Sequence, residues 1–400
     1  MEILKVSLKQ HTPLLHFQPN EPGATIRASE VKPKLDKYIL SKMEVDERRA
    51  LDYKLSIYAE GDIKEYLAAS YLSRRALDTL NRNNINKIEI SPYFAQEKEN
   101  KNLVASRNIR QDWKNFPKKG LLNKGNVQLT IIGNHEVLKL ISTYIQSFFL
   151  EENFGTRQSK GFGSFTVVSI KIHSMGEDKN IRLLNNDEIL SSNNEFCYKS
   201  NQSYNINDAF KEISNVYKII KSGSNIPYKK SLLMTYFSNH TPKIRWEKKY
   251  IKKKFKAIAG KYRLRENSPQ KTDYDDRGDF KFVRALLGLP NQYEFQLDNP
   301  PVQNGKMIAT IKNNTGIERF KSPITFKVID GYIYIFGKRI PEQILDKTFE
   351  FSVNVEEDNT FNDVYIGTLE TPEYFDLKKF MEYAMRGRNN FREIKTCLNT

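Results

Sequence analysis

The chain has 400 residues, with 64 Lys and Arg against 48 Asp and Glu, for a formal net charge of +16. Aromatic residues make up 12 %, too many for a disordered chain, so the length points to two or three folded domains at roughly 100–200 residues each, and the surplus charge points to a polyanionic partner. Two cysteines, Cys197 and Cys397, exclude a disulfide framework and a cysteine-rich zinc site. The opening stretch mixes Glu2, Lys5 and Lys9 with its apolar residues, unlike a secretory signal. The longest apolar run, 137–150, contains Lys139, Ser142, Thr143 and Gln146 and is too short to span a bilayer. A cytoplasmic chain without a membrane partner is the expectation.

The first ten residues alternate in the manner of a strand. A loop with Pro13, Pro19, Pro22 and Gly23 follows. Ser29 is placed as the N-cap of a helix with Pro33 in its first turns, and Val31, Leu35, Tyr38 and Ile39 form one stripe. A second helix is predicted over 63–80, then an irregular polar excursion over 81–126. Residues 127–132 read as a strand and 136–150 as a helix with a broad apolar face. A glycine loop at 154–164 leads into a strand over 165–172. The polar run 174–206 holds the expected domain boundary.

In the second half, a helix is predicted near 207–220, a strand-like run at 232–237, a very basic helix at 245–258 and a further helix at 280–287. Strands are predicted at 307–311, 324–329, 332–336 and 349–355, with Asp330-Gly331 as a hairpin turn, and a last helix at 374–385. The mixture lacks strict strand–helix alternation, which gives an α+β class.

The glycine loop sits between a helix and a strand. A dinucleotide fingerprint has the opposite order, strand to helix, so that chemistry is excluded. What remains is a loop whose amides, together with Arg157, Gln158, Ser159, Lys160, Gly161, Gly163 and Ser164, suit the phosphates of a nucleic acid. A plain glycine-rich turn with solvated charges fits the same residues. Between Lys243 and Arg265 eleven Lys and Arg face a single acid, Glu247. Trp246, Tyr250, Ile251, Phe255 and Ile258 form an apolar stripe there, leaving Arg245, Lys248, Lys249, Lys252 and Lys253 as candidate phosphate contacts. A solvated face or a membrane-surface helix are the other readings. His11, His16, His135, His173 and His240 make no metal spacing. The acids Asp273, Asp275, Asp276 and Asp279 lack the order of a calcium loop. No metal and no cofactor is expected.

Two segments carry a resemblance. The stretch Gly23-Ala-Thr25-Ile-Arg27-Ala-Ser29-Glu-Val-Lys32-Pro-Lys34 resembles the strand-to-helix entry of RAMP-superfamily CRISPR proteins. The stretch Arg157-Gln-Ser-Lys160-Gly161-Phe-Gly163-Ser164 is similar to their glycine-rich loop, in the same helix–loop–strand setting. Phe282-Val-Arg284-Ala-Leu-Leu-Gly288-Leu-Pro290 and Arg319-Phe-Lys321-Ser322-Pro323-Ile324 are most like the first-named, two-RAMP-domain subunit of the type III-B Cmr effector complex. Pro33 departs from the pattern, since many relatives carry glycine after the basic residue.

The resemblance implies two ferredoxin-like (RRM-like) RAMP domains with helical and loop insertions. They would be an N-terminal domain at 1–175 with an insertion near 41–126, a polar connector at 176–206 and a C-terminal domain at 207–400. It also implies a non-catalytic subunit that binds CRISPR RNA, the guide–target duplex or both, beside other type III effector subunits. The RNA-binding positions carried over are Arg27, Ser29, Lys32 and Lys34, then Arg157 to Ser164, and Arg284, Arg319 and Lys321. The alternative within the superfamily is a metal-independent endoribonuclease that matures guide RNA, with His11 or His16 as its base.

Overall fold

The computed structural model describes residues 2–15, 26–44, 50–69, 82, 86–89, 119–174, 177–225, 228–239, 243–258, 262–264, 278–290, 292–298, 306–312, 316–317, 320–355 and 363–395. The mixed α+β class expected from the sequence is what the structure has. The described residues form two compact units. The first comprises Met1–Ser214, Thr325–Gly337 and Asn389–Thr400, the second Asn215–Ile324 and Lys338–Arg388.

The first unit is built on a five-stranded sheet. Its strand order is Tyr53–Ala59, Asn126–Gly133, Glu2–Gln10, Phe165–Ser174, Glu177–Ile181, and all neighbours are antiparallel. Helix α1 (Ala28–Lys42) follows the first strand, and helix α2 (His135–Glu151) follows Asn126–Gly133. Both pack on one face of the sheet. Leu4, Val6 and Leu8 alternate inward and meet Leu35, Ile141 and Phe148 in one buried cluster. Burying each such side chain contributes roughly 1.5–3 kcal/mol. Asn134 caps α2, its Oδ1 accepting from the Val137 N–H at 2.9 Å.

Several sequence expectations need correction. Arg27, not Ser29, holds the cap position of α1, and its side chain makes no capping bond. Residues 63–69 form a strand, Ile63–Ala69, where a helix was expected. Leu67, Ala68 and Ala69 favour a helix by propensity, but pairing with Lys119–Asn123 on one side and Asn86–Glu89 on the other overrides that preference. These strands and Leu14–Leu15 make a second small sheet, so the expected irregular excursion has ordered ends. Residues 70–81 and 90–118 lie outside the described ones. The polar run after the first sheet folds into Glu177–Ile181, helix α3 (Asn186–Asn193) and Phe196–Ser200. Phe196–Ser200 joins Ile324–Ile329, Tyr332–Gly337 and Phe391–Glu393 in a further sheet. Asp330 and Gly331 turn that hairpin with φ of 50° and 82°, as their residue types predicted.

Helix α4 (Ile206–Tyr217) carries the chain out of the first unit. In the second unit, residues 232–237, expected as a strand, form helix α5 (Leu232–Ser238). Its start signal is Ser231, whose Oγ accepts from the Met234 N–H at 3.2 Å. Ile244–Trp246 is a short strand parallel to Asp279–Lys281, and the basic helix α6 begins only at Glu247 (Glu247–Ile258). The predicted helix at 280–287 is that strand followed by a 3₁₀ turn, Val283–Leu287. A four-stranded antiparallel sheet runs Gln292–Gln296, Lys306–Lys312, Thr348–Val355, Val364–Glu370. Helix α7 (Leu377–Met385) follows. Among the described residues no helix is long and apolar enough to cross a membrane.

Candidate nucleic-acid interface

The glycine loop of the first unit is a rigid cradle. Gly155, Arg157, Gly161 and Gly163 have φ of 76°, 57°, 86° and 65°. A Cβ at Gly163 would run into the Phe154 carbonyl oxygen. The segment after the first strand runs along the loop and takes up its polar groups. Thr12 Oγ1 donates to Gly161 O at 2.7 Å and accepts from the Ser164 N–H at 2.9 Å. The Gly163 N–H donates to Pro13 O at 3.0 Å and the Thr156 N–H to Leu15 O at 2.7 Å. The Lys160 N–H donates to Arg157 O and the Gly161 N–H to Gln158 O, at 2.9 and 3.3 Å.

On the other side, Asn153 Nδ2 donates to Gln158 O at 2.7 Å and to Phe326 O at 2.9 Å. Lys327, fully buried, donates to Glu152 O at 2.9 Å and Asn153 Oδ1 at 3.1 Å. Burial pushes its ammonium down to about 7. Ser164 Oγ donates to Val328 O at 2.7 Å. Phe162 stacks on Phe210 with ring centroids 4.1 Å apart, and both are fully buried. The freely exposed amides expected of this loop are therefore engaged at Gly155, Thr156, Lys160, Gly161, Gly163 and Ser164. Lys160, Gly161, Gly163 and Ser164 are buried. The solvent-facing part is the tip, Thr156 to Ser159, each half-buried.

The structure brings the two sequence motifs together. Glu30, in the first turn of α1, accepts from the Gly155 N–H at 2.8 Å. Lys34 Nζ donates to Asn153 O at 3.2 Å, pairs with Glu30 at 3.3 Å and lies 4.9 Å from the centre of the Phe154 ring. Lys32 donates to Leu51 O at 2.8 Å, pairs with Asp36 at 3.1 Å and covers the Tyr53 ring. Lys32 and Lys34 thus fasten α1 to its surroundings. Arg27 is half-buried and Ser29 exposed.

His11 lies beside this cradle with its side chain 2 % exposed. Its Nδ1 accepts from the Asp330 N–H at 3.1 Å, so the ring proton sits on Nε2, which donates to Thr166 Oγ1 at 2.7 Å. Burial, aided by Lys327 and Lys9 and opposed by Asp330, holds its pKa near 4. His16 lies outside the described residues. Cys197 is also buried, and its thiol is pushed up to about 12 by burial and then by Asp187, so it is no nucleophile. Cys397 lies outside the described residues. No cluster of metal-ligating side chains occurs among the described ones.

The second unit's expected cations divide. Arg245 and Arg284 are 3 % and 7 % exposed. Arg284 Nη2 donates to Ser222 O at 3.3 Å, and its Nε is 3.8 Å from the fully buried Glu247. Tyr293 also donates to Glu247, at 2.9 Å. This buried network is structural, because removing one member would strand a charge. On α6, Ile251 and Phe255 pack inward, Lys248 and Lys249 are half-buried, and Lys252 and Lys253 are exposed. Ile258, assigned to the apolar stripe, is 48 % exposed. Lys321 is exposed, and Arg319 lies outside the described residues. Sequence reasoning missed Thr12, Glu30, Asn153 and Lys327, the side chains that hold the loop. Lys327 alone had a visible signal, a lone cation in an otherwise apolar strand.

Two outcomes follow for this site. Gly163→Ala is expected to cost more than about 2 kcal/mol, because it adds a backbone clash to the left-handed strain. Gly387→Ala, at a φ of 75° with nothing within 4 Å, should cost only about 1–2 kcal/mol; thermal melts that rank the two equally would contradict this. His11 also makes stability depend on pH. Below its ordinary 6.5 the unfolded chain binds a proton that the folded chain refuses. Stability should therefore fall as the pH drops from about 6.5 towards 4, by on the order of 3 kcal/mol. His11→Gln should flatten that part of the melting-temperature profile, and an unchanged profile would contradict the assignment.

Comparison with known proteins places the chain in a family. A family model of the Cmr1 N-terminal domain matches residues 1–224, and one of the Cmr1 C-terminal domain matches residues 228–396. No curated protein matches the chain. Among solved structures, the apo crystal structure of Cmr1 from Pyrococcus furiosus is 13 % identical over 99 % of each chain, with a TM-score of 0.40. A chain of the cryo-EM structure of the type III-B Cmr-beta bound to cognate target RNA is 15 % identical over 43 % of this chain and 61 % of that one, with a TM-score of 0.26. With both family models matched in order along its length, the chain belongs to the Cmr1 family.

Proposed function

We propose that this chain is a non-catalytic RNA-binding subunit of a type III CRISPR effector complex of the Cmr kind, contacting CRISPR RNA, the guide–target duplex or both. Family membership supports the complex. The observation that carries the RNA contact is the loop tip: Arg157, a non-glycine residue at φ 57°, is half-buried, with its Nη1 enclosed, beside the half-buried Gln158 and Ser159 on a clamped cradle. A left-handed arginine costs roughly 1–2 kcal/mol that glycine would avoid. Keeping it there favours a role for the guanidinium, and phosphate is the ligand its fork suits. The exposed lysines Lys252, Lys253 and Lys321, with Arg27 and Ser29, add contacts to the sugar–phosphate backbone; the buried Arg245 and Arg284 take no part. Base pairing by the guide supplies sequence choice, so backbone contacts suffice. The first unit's strand–helix–strand–strand–helix–strand order supports its reading as a ferredoxin-like domain.

The endoribonuclease alternative needs a histidine that reaches a 2′-OH. The burial of His11 and the engagement of both its ring nitrogens speak against that role.

Arg157→Gly separates function from folding. The variant should melt within a few degrees of the wild type, since glycine suits the backbone there. It should bind labelled CRISPR-repeat RNA several-fold more weakly, with a log–log salt slope smaller by about 0.7. Wild-type affinity in a folded variant would contradict the loop-tip contact, and metal-independent cleavage by the wild type would contradict the non-catalytic reading.

A further inference from the structure

Helices α1 and α2 cover one face of the first sheet. On its other face Lys5, Lys54, Tyr58 and Lys171 are exposed, while the hairpin turn at Asp330 meets that face at Lys9; what the face carries follows from strand alternation. Leu4, Val6 and Leu8 point into the core, so Lys5, Ser7 and Lys9 point out. In register beside Lys5 stand Thr130 on one neighbouring strand and Lys171 on the other, and Ser56 stands beyond Thr130. Beside Ser7 stand Gln128 and Ser169, with Tyr58 beyond Gln128. Gln128 Nε2 donates to Ser7 Oγ at 3.2 Å. Lys54 lies on the same face of the edge strand. Lys5, Lys54 and Lys171 are exposed, and Tyr58 is 69 % exposed. Lys9 pairs with Asp330 at 2.6 Å. A second acid beside this face, with Asp330, is Asp178, bonded to His173 at 2.7 Å. Its carboxyl is held below the usual range by His173 first and then by Lys5 and Lys171, which places it within the field of both lysines.

Apart from the half-buried Ile3 and Ile132, which share a row with Lys54 and His173, this is a polar surface of hydroxyls and amides with surplus positive charge and one large exposed ring. A protein partner would ask for an apolar centre with lysines depleted. A strand of RNA asks for cations along its backbone and an aromatic face for an unpaired base. We infer that the open face of the first sheet is a second RNA-binding surface, on which Lys5, Lys54 and Lys171 meet phosphates and Tyr58 stacks on an unpaired base. The inference rests on the RNA-binding reading above and adds a site distinct from the loop tip.

The test measures binding of a labelled single-stranded RNA by the full chain over a salt series. The Lys5→Gln/Lys171→Gln double variant is compared with Tyr58→Ala and Arg157→Gly, and melting curves confirm that each is folded. The double variant should bind about ten-fold more weakly at 0.1 M salt, and its log–log salt slope should drop by about 1.4, two single-strand contacts. Tyr58→Ala should weaken binding several-fold without changing the slope. If the double variant and Tyr58→Ala bind like wild type while Arg157→Gly is weakened, the sheet face is overturned and the RNA-binding reading stands. If the wild type binds no RNA, both fall. If the double variant keeps RNA affinity but loses capture of an acidic effector subunit, the face belongs to a protein and the inference is overturned.

Discussion

The backbone at Gly163 leaves no space for a side chain. The Phe154 carbonyl oxygen occupies the place of a Cβ, and the Gly163 N–H is committed to Pro13 O. Around that point the chain 11–15 lies against the loop, bonding by backbone and by Thr12. Asn153 and Lys327 close the other side. A loop held at so many points keeps one conformation. Its tip is then presented by the fold at no further entropic cost when a ligand arrives. The entry of α1 is tied to the same loop through Glu30 and Lys34.

The same physics explains where the positive charge went. A count of Lys and Arg treats every cation as available to an anion. The structure spends many of them inside. Lys327 is buried among loop carbonyls and Arg284 serves Glu247 in the second unit, while Lys32 and Lys34, only half-buried, bond carbonyls and rings. A buried cation survives only with partners that offset its desolvation, and those partners exclude a phosphate. Among the described residues, exposed cations include Lys5, Lys54 and Lys171 on the outer face of the first sheet and Lys252 and Lys253 on α6. Which cations are available to an anion reads from exposure and register, not from charge density along the chain.

Much of this was legible in the sequence. The first strand, α2 and the Asp330-Gly331 hairpin carry strong periodicity or turn chemistry, and each appeared where its residues placed it. The edge strand Tyr53–Ala59 was missed because only one of its faces meets the core, and Lys54, Ser56 and Tyr58 dilute its apolar signal. The stretch 63–69 was misread because its composition favours a helix while its neighbours supply strand partners. Leu232–Ser238 reads as a strand from its apolar run alone, and the signal for a helix is the Ser231 cap just before it. For the site, the glycine loop and the α1 entry were found as motifs. Their contact, the Glu30–Gly155 bond across 125 positions, is a tertiary fact that no local pattern carries. Burial of Arg245 and Arg284 was hidden for the same reason.

The central claim is that RNA is held by surfaces of the first unit that the clamped loop and the open sheet present. Photocrosslinking of 4-thiouridine-substituted RNA to the full-length chain, with the attached peptides identified by mass spectrometry, tests it most directly. The account predicts attachment at the loop tip, within 156–159, and at the sheet face near Tyr58. Attachment confined to α6, or none above that of an unrelated protein of equal charge, would contradict it.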